Sequence, residues 1–409
     1  MGINKWHKKP LKSLCTRIGD GLHGTPAYDE SSEFYFINGN NLKNGKIEIT
    51  NNTNTVTKED FNKNFIPLNE NTLLLSINGT LGSMAFYNDE KIMLGKSAAY
   101  INFKEDVNKF YYYYFQLKEI QEYFHNVATG STIKNLSLKS IQDFEVPTPD
   151  KIELENISNV LSALDSKIEL NNKINKELET MAKTLYDYWF VQFDFPNENG
   201  KPYKSSGGKM VYSKELKREI PEGWEIDSLW NIATYFNGLA MQKHRPTNDN
   251  KLRVIKIKEM NEGFGDYTEY AKADVLKEAI INNGDILFSW SASLDVIIWD
   301  KGIGALNQHI FKVSSKKYPR SFYYYELINY LKHFKMMADL RKTTMGHITQ
   351  EHLKQSKIVI PPIHLIIALD SKINIFIEKQ ILLQQQNQEL AKLRDWLLPM
   401  LMNGQVRIK

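Results

Sequence analysis

The chain has 409 residues and a single cysteine, Cys15. One thiol excludes an internal disulfide framework and any zinc site built on cysteine pairs, and it suits a reducing compartment. Cys15 itself reads as a small core residue. Long apolar runs are missing as well. The most apolar stretch, Ile358 to Leu369, is interrupted by Pro361, Pro362 and His364, so no segment reads as a membrane span. The basic stretch Met1 to Pro10 is not followed by an apolar run of signal-peptide length. The expectation is a soluble cytoplasmic protein that makes no use of a membrane. Neither sign of charge is in large excess. A balance of 52 Lys and Arg against 48 Asp and Glu, net +4, permits nucleic acid as a partner without demanding it.

Catalytic motifs are scarce. An adenine methyltransferase needs an Asn-Pro-Pro-Tyr-like loop to hold its base, but the only Pro-Pro pair, Pro361 and Pro362, lies between Ile360 and Ile363. Gly95, Lys96 and Ser97 mimic the end of a phosphate-binding loop, yet Glu90 stands where its first glycine belongs. The nine histidines form no His-Glu-x-x-His pair. Asp165 and Lys167 could be taken for part of a nuclease's metal centre. Their repeat at Asp370 and Lys372 has no acidic partner at the corresponding boundary, and both pairs read as a solvated helix face. No cofactor, metal or catalytic residue is expected.

What is present is a duplication, and it fixes the architecture. Trp6, Leu11 and Leu14 match Trp224, Leu229 and Ile232 in spacing. LLLSINGTLG from Leu73 returns as ILFSWSASLD from Ile286, and FYYYYFQL from Phe110 returns as FYYYELI from Phe322. EVPTP ending at Pro149 corresponds to IVIPP ending at Pro362, and ALDSKI occurs at both Ala163 and Ala368. Each half therefore runs from a Trp-headed mixed segment, through a proline boundary, into a long helix. The tyrosine runs suggest base stacking, but their place ahead of helical patterns favours core packing.

Both helical stretches space apolar residues by threes and fours, as a coiled-coil seam requires. The first seam runs through Leu154, Ile157, Leu161, Leu164, Ile168, Asn171, Asn175, Leu178, Ala182 and Leu185. The second runs through Ile366, Leu369, Ile373, Phe376, Gln380, Leu383, Asn387, Leu390, Arg394 and Leu397. Polar residues interrupt each near its middle, and a buried Asn at such a position fixes register and partner. Between the halves, Asp194 to Gly223 has the Pro, Gly and polar composition of an exposed connector.

Tyr188 to Trp224, YWFVQFDFPNENGKPYKSSGGKMVYSKELKREIPEGW, resembles the central segment of the specificity subunits of type I restriction-modification systems. The globule-plus-helix order, the VPTP and IPP boundaries and the C-terminal LRDWLLPMLMNGQVRI also resemble that family, so the likeness spans the whole chain. It implies an α+β fold of pseudo-twofold symmetry. Two similar mixed α/β target-recognition domains, residues 1–150 and 223–362, would be separated by two long antiparallel coiled-coil helices. The first spacer helix would span 151–191, a connector 192–222, and the second helix with its tail 363–409.

The resemblance further implies a non-catalytic reader of double-stranded DNA. Two methyltransferase subunits would dock on it, and restriction subunits would join the full complex. Because the halves diverge outside the landmarks, the target would be bipartite and asymmetric. DNA contacts are expected from polar loops: His23, Thr25, Lys96, Ser131 and Lys134 in the first half, and Gln242, Lys243, Arg245, Arg341 and Lys342 in the second. Two other classes compete. A methyltransferase or nuclease with its own recognition domain would cut or methylate DNA unaided, and a coiled-coil adaptor would show no salt-dependent binding to duplex DNA.

Overall fold

The computed structural model describes residues 6–131, 134–291, 293–340 and 347–408. The chain forms two compact units, Met1–Lys167 with Leu390–Lys409, and Ile168–Glu389. Each holds one mixed sheet-and-helix domain.

In the first domain the strands of the main sheet and of the parallel pair beside it are β1 (Cys15–Asp20), β2 (Phe34–Ile37), β3 (Thr72–Ser76), β4 (Met84–Phe86), β5 (Ile92–Leu94) and β6 (Ala98–Phe103), followed by helix α1 (Asn108–Phe115). The main sheet has the order β1-β6-β3-β4, all antiparallel, while β2 pairs in parallel with β5. Strands β3 and β6 are buried at every position, which explains why they read as unbroken apolar runs. Alternation sends Leu73, Leu75, Ala99 and Ile101 to the layer that holds α1, and Leu74 and Tyr100 to a second, smaller core. Cys15 lies in the larger core, where burial pushes its thiol up to about 12.

The long helix α2 (Lys151–Tyr186) follows, ending in a π-helical turn at Asp187–Val191. The second domain has β7 (Thr234–Asn237), β8 (Lys251–Ile255), β9 (Ile286–Ser289), β10 (Asp295–Ile298), β11 (Gly304–Leu306), β12 (Ile310–Ser314) and helix α3 (Arg320–Leu340). Its main sheet, β7-β12-β9-β10, repeats the first in order and direction, and β8 pairs in parallel with β11. Helix α4 (Ile363–Met402) closes the chain. The duplication is thus a duplication of topology.

The tyrosine runs are core. Tyr111 to Tyr114 and Tyr323 to Tyr325 are all buried, and buried hydroxyls find acceptors: Tyr111 donates to Pro147 O at 2.9 Å and Tyr113 to Asp165 at 2.7 Å. Asp165 also pairs with Arg394 at 2.8 Å. The expectation of a solvated face for Asp165 is therefore corrected: the carboxylate is half-buried and ties α1 and α4 to α2. Its repeat, Asp370, likewise accepts from Ser321 on α3 at 2.7 Å.

All ten positions of each seam are buried or half-buried. Within the second unit Asn171 donates to Asn387 at 2.9 Å and Gln380 to the carbonyl of Asn175 at 3.1 Å. Rising numbers on α2 meet falling numbers on α4, so the helices run antiparallel there. The segment read as an exposed connector is better ordered than its composition suggests. Met210–Ser213 and Arg218–Pro221 form a hairpin, and Phe193, Phe195, Ile220 and Trp224 are buried in the core of the second unit. Four apolar anchors outweigh the Gly and Pro content. No helix among the described residues is long and apolar enough to cross a membrane.

Candidate nucleic-acid interface

In the first domain the ends of β1 and β3 and the beginnings of β4 and β6 lie at one end of the sheet, as the registers Asp20 with Ala99, Ser76 with Ala98 and Leu75 with Met84 show. Antiparallel order gathers the connecting loops there. Backbone bonds then fix the loops side by side. Lys96 N donates to Leu22 O at 3.0 Å, Ile77 N to Ser97 O at 3.0 Å, and Leu136 N to Ile77 O at 2.9 Å. Gly21 permits the closest approach, since a Cβ there would lie 1.9 Å from Leu94 O. Ser97 Oγ donates to Asn38 Oδ1 at 2.8 Å and accepts from Gly39 N at 2.9 Å, drawing a further polar loop to the same end.

The structure brings the first-half candidates onto these adjoining loops: His23, Thr25, Lys96, Ser131 and Lys134 are all exposed. Two have partners that the sequence did not reveal. His23 Nε2 lies 2.7 Å from Asp20 Oδ2, and Lys134 Nζ donates to His125 O at 2.7 Å. His125 is in the last turn of the helix Lys118–Val127, so Lys134 satisfies a helix-terminal carbonyl with a cation.

The second domain builds the same end. Asn237 faces Phe311, Ser289 faces Ile310, and Asp295 faces Ser289. Leu239 N donates to Leu306 O at 2.9 Å, Trp290 N to His309 O at 3.4 Å and Ile348 N to Trp290 O at 2.9 Å. Gly238 plays the part of Gly21, with a Cβ there 2.2 Å from Asn307 O. Gln242 and Lys243 occupy a short turn, Met241–Lys243, and Arg245 follows it. All three are exposed. Lys256 donates a hydrogen bond to Glu269 and, with Arg245 adding positive charge, holds its carboxyl below the usual range. Arg341 and Lys342 lie outside the described residues.

The serine that ends each strand organises the loop beyond it. Ser76 Oγ bonds Asn78 O at 3.2 Å and Thr80 Oγ1 at 3.0 Å. Ser289 Oγ donates to Ser293 O at 2.6 Å and accepts from Asp295 N at 2.8 Å. That shared duty explains why SINGT and SWSAS stood out as matching segments. In the sequence the residues after these serines, Ile77 and Trp290, read as part of an apolar, strand-like landmark, and nothing there marks either as functional. Trp290, His309 and His347 cluster at the second sheet end. Among the described residues no group of three or more His, Cys, Asp or Glu side chains is placed to hold a metal ion.

In each domain exposed polar and basic loops are gathered at one end of the sheet, on one backbone plan used twice. The family model described as the type I restriction modification DNA specificity domain matches residues 4–180 and again 221–391, and the chain belongs to that family. It is 28% identical over 314 residues to the MjaIX specificity subunit of Methanocaldococcus jannaschii, covering 74% of this chain and 70% of that one. With the HindI specificity subunit of Haemophilus influenzae it shares 22% identity over 346 residues, 70% of this chain and 75% of the relative. A solved S subunit from M. genitalium superposes with a TM-score of 0.60 at 16% identity, covering 98% and 97% of the two chains, which shows the same fold.

Proposed function

We propose that this chain is the non-catalytic sequence reader of a type I restriction-modification complex, and that the loop-bearing sheet end of each domain reads one half of a bipartite, asymmetric double-stranded target. The observation that carries this is the pair of equivalent sheet ends, fixed by matching backbone bonds but tipped with different side chains. A repeated frame with different tips suits two different half-sequences. Basic, amide and hydroxyl side chains would supply the phosphate and base contacts: His23, Thr25, Lys96, Ser131 and Lys134 in one domain, Gln242, Lys243 and Arg245 in the other, and with them Arg341 and Lys342, which lie outside the described residues.

The methylation chemistry belongs to partner subunits, two per chain in this reading, with restriction subunits joining them. The long helices offer these partners a surface. On α4, Ile363, Ile367, Ile375 and Leu382 are between 46% and 66% exposed. At 3.6 residues per turn they fall on one arc of about 120°, turned away from the buried Ile366, Leu369, Ile373 and Leu383. An apolar stripe opposite a buried seam marks a helix with a second partner.

The test is co-expression with the methyltransferase subunit followed by mapping of methylated bases in the host genome. The expected motif is two unlike half-sites separated by unread positions. A single contiguous motif, or cutting or methylation by the purified chain alone with Mg²⁺ and S-adenosylmethionine, would overturn the proposal.

A further inference from the structure

Because the two sheet ends share their backbone bonds, their residues can be paired position by position. Ile348 N donates to Trp290 O as Leu136 N donates to Ile77 O, both at 2.9 Å. Trp290 N donates to His309 O as Ile77 N donates to Ser97 O. Trp290 therefore stands where the first domain has Ile77, His309 where it has Ser97, and His347 where it has Asn135.

The replacement changes the chemistry of the tip. Ile77 is buried at 3% exposure, whereas Trp290 is half-exposed and His347 exposed. The indole is held on several sides. Its ring lies 5.6 Å from both His309 and His347, inclined at 52° and 55°. Phe311 packs at 5.8 Å, and Nε1 donates to Asn237 Oδ1 at 3.0 Å. The protein thus satisfies the indole's only donor and leaves aromatic surface open, at the centre of the end that carries Gln242, Lys243 and Arg245. A fixed, partly open indole suits stacking on a nucleobase or sugar, or contact with a thymine methyl. An exposed imidazole beside it can donate to or accept from a base edge.

We infer that Trp290, His309 and His347 form the base-contacting centre of the second domain, with Trp290 packing on a base or sugar and His347 supplying the polar contact. The first domain, with Ser97, Asn38 and Asn135 in this region, reads its half-site through hydroxyl and amide groups instead. The inference rests on the proposed reading of the sheet ends as DNA-facing, and it makes three positions specificity determinants.

The test uses the complex assembled with its methyltransferase subunit. The triple variant Trp290→Ile, His309→Ser, His347→Asn installs the first domain's residues. It is expected to relax or lose the second half-site in the methylation map, to keep the first, and to bind the duplex at least tenfold more weakly. Retention of the first half-site shows that the complex has folded and assembled. Trp290→Phe keeps a ring and is expected to keep the motif with a loss of only a few-fold. The emission that distinguishes the native complex from the Trp290→Phe complex is expected to be quenched by duplex containing the motif. A triple variant that methylates the complete original motif at the native rate would overturn the inference. If the triple variant abolishes all methylation, the emission decides: quenching by motif DNA supports the inference, and its absence overturns it. Replacing the whole second domain separates the two levels. If that leaves the second half-site unchanged, the assignment of the sheet end itself fails, whatever Trp290 does.

Discussion

The two domains agree at several residues that position the backbone of their sheet ends and differ at side chains beside them. Gly21 and Gly238 both allow one loop to press on backbone carbonyls at the end of β5 or β11, and Ser76 and Ser289 both fasten a loop through their hydroxyls. Asp165 and Asp370 both bind the helix of the tyrosine run to a long helix. By contrast Ile77 is matched by Trp290 and Ser97 by His309. The comparison separates two jobs that one short segment performs together. A few small and hydrogen-bonding residues hold the loops in place, and their neighbours are free to carry different recognition chemistry.

The strongest challenge to that separation is exchange of a whole domain. Replacing residues 1–150 with those of another family member is expected to change one half-site of the methylated motif completely and leave the other as it was. Genome methylation mapping reads both halves in one experiment. If both halves change together, the domains are not independent readers and the comparison loses its functional meaning.

A smaller effect is expected from thinning the two cores at one equivalent position. Phe288 of β9 and Leu75 of β3 each precede the loop-fastening serine, and each is 0% exposed. Phe288 stacks near Phe311 and Phe334, so Phe288→Ala is expected to cost about 3–5 kcal/mol, and Leu75→Ala about 2–4 kcal/mol. Denaturant unfolding of both variants checks the order. Equal costs would mean that the second domain closes around the missing ring.

The tyrosine runs offer a contrast in charge. Aligned from Phe110 and Phe322, they place Tyr114 of the first domain opposite Glu326 of the second. Glu326 is mostly buried beside a cleft, and burial pushes its carboxyl up to about 7, while Tyr186 donates to it at 2.7 Å and Arg218, Lys183 and Asp187 lie near. A carboxyl raised from its ordinary 4.5 binds its proton more tightly in the folded state. Its contribution to stability is therefore greatest at low pH and is lost as pH rises through about 7. Glu326→Gln is expected to be more stable than the native chain by about 1–3 kcal/mol at pH 8, with the difference closing toward pH 5. Thermal unfolding at several pH values checks this. A difference that grows as pH falls would reverse the assignment.

Much of this frame was legible in the sequence because the frame is what the duplication preserves. The serine-ended strands, the proline boundaries, ALDSKI and the heptad seams recur because each meets the same local demand in both halves. What could not be read depends on neighbours distant in the chain. Asp165 resembled a solvated helix residue until Tyr113 and Arg394, far away in sequence, were found on either side of it. The segment from Asp194 to Gly223 resembles a loose connector because its polar and glycine residues outnumber its own anchors Phe195 and Ile220, which are buried together with the flanking Phe193 and Trp224. Loop clusters such as His23 and Gln242 to Arg245 are marked as candidates by polar composition, whereas Trp290 sits inside an apolar landmark. An aromatic residue at a strand end reads as core unless its surroundings are known.

The smallest effects expected are those of single surface lysines, and here the first domain supplies its own control. Lys96 and Lys134 are both exposed on adjoining loops of the candidate interface. Lys134 already donates to the carbonyl of His125 at 2.7 Å, a helix-terminal contact worth about 0.3–1 kcal/mol. Changing it should therefore act on local stability as well as on binding. Lys96 follows Gly95 in the turn bonded to Leu22, where a cation can meet a phosphate without giving up a carbonyl. In the assembled complex Lys96→Ala is expected to weaken binding to target and non-target duplexes by a similar factor, and to lower the slope of log K against log salt by about 1. Lys243→Ala in the second domain should do the same, while Lys134→Ala, whose ammonium must leave the His125 carbonyl to reach the DNA, should lower the slope by less. Titration of the three variants at a series of salt concentrations distinguishes them. If Lys134→Ala lowers the slope as much as Lys96→Ala, the ammonium leaves its helix cap on binding and both lysines reach the DNA. If neither changes the slope, these loops face away from the phosphate backbone and the candidate interface must move to another part of the domain.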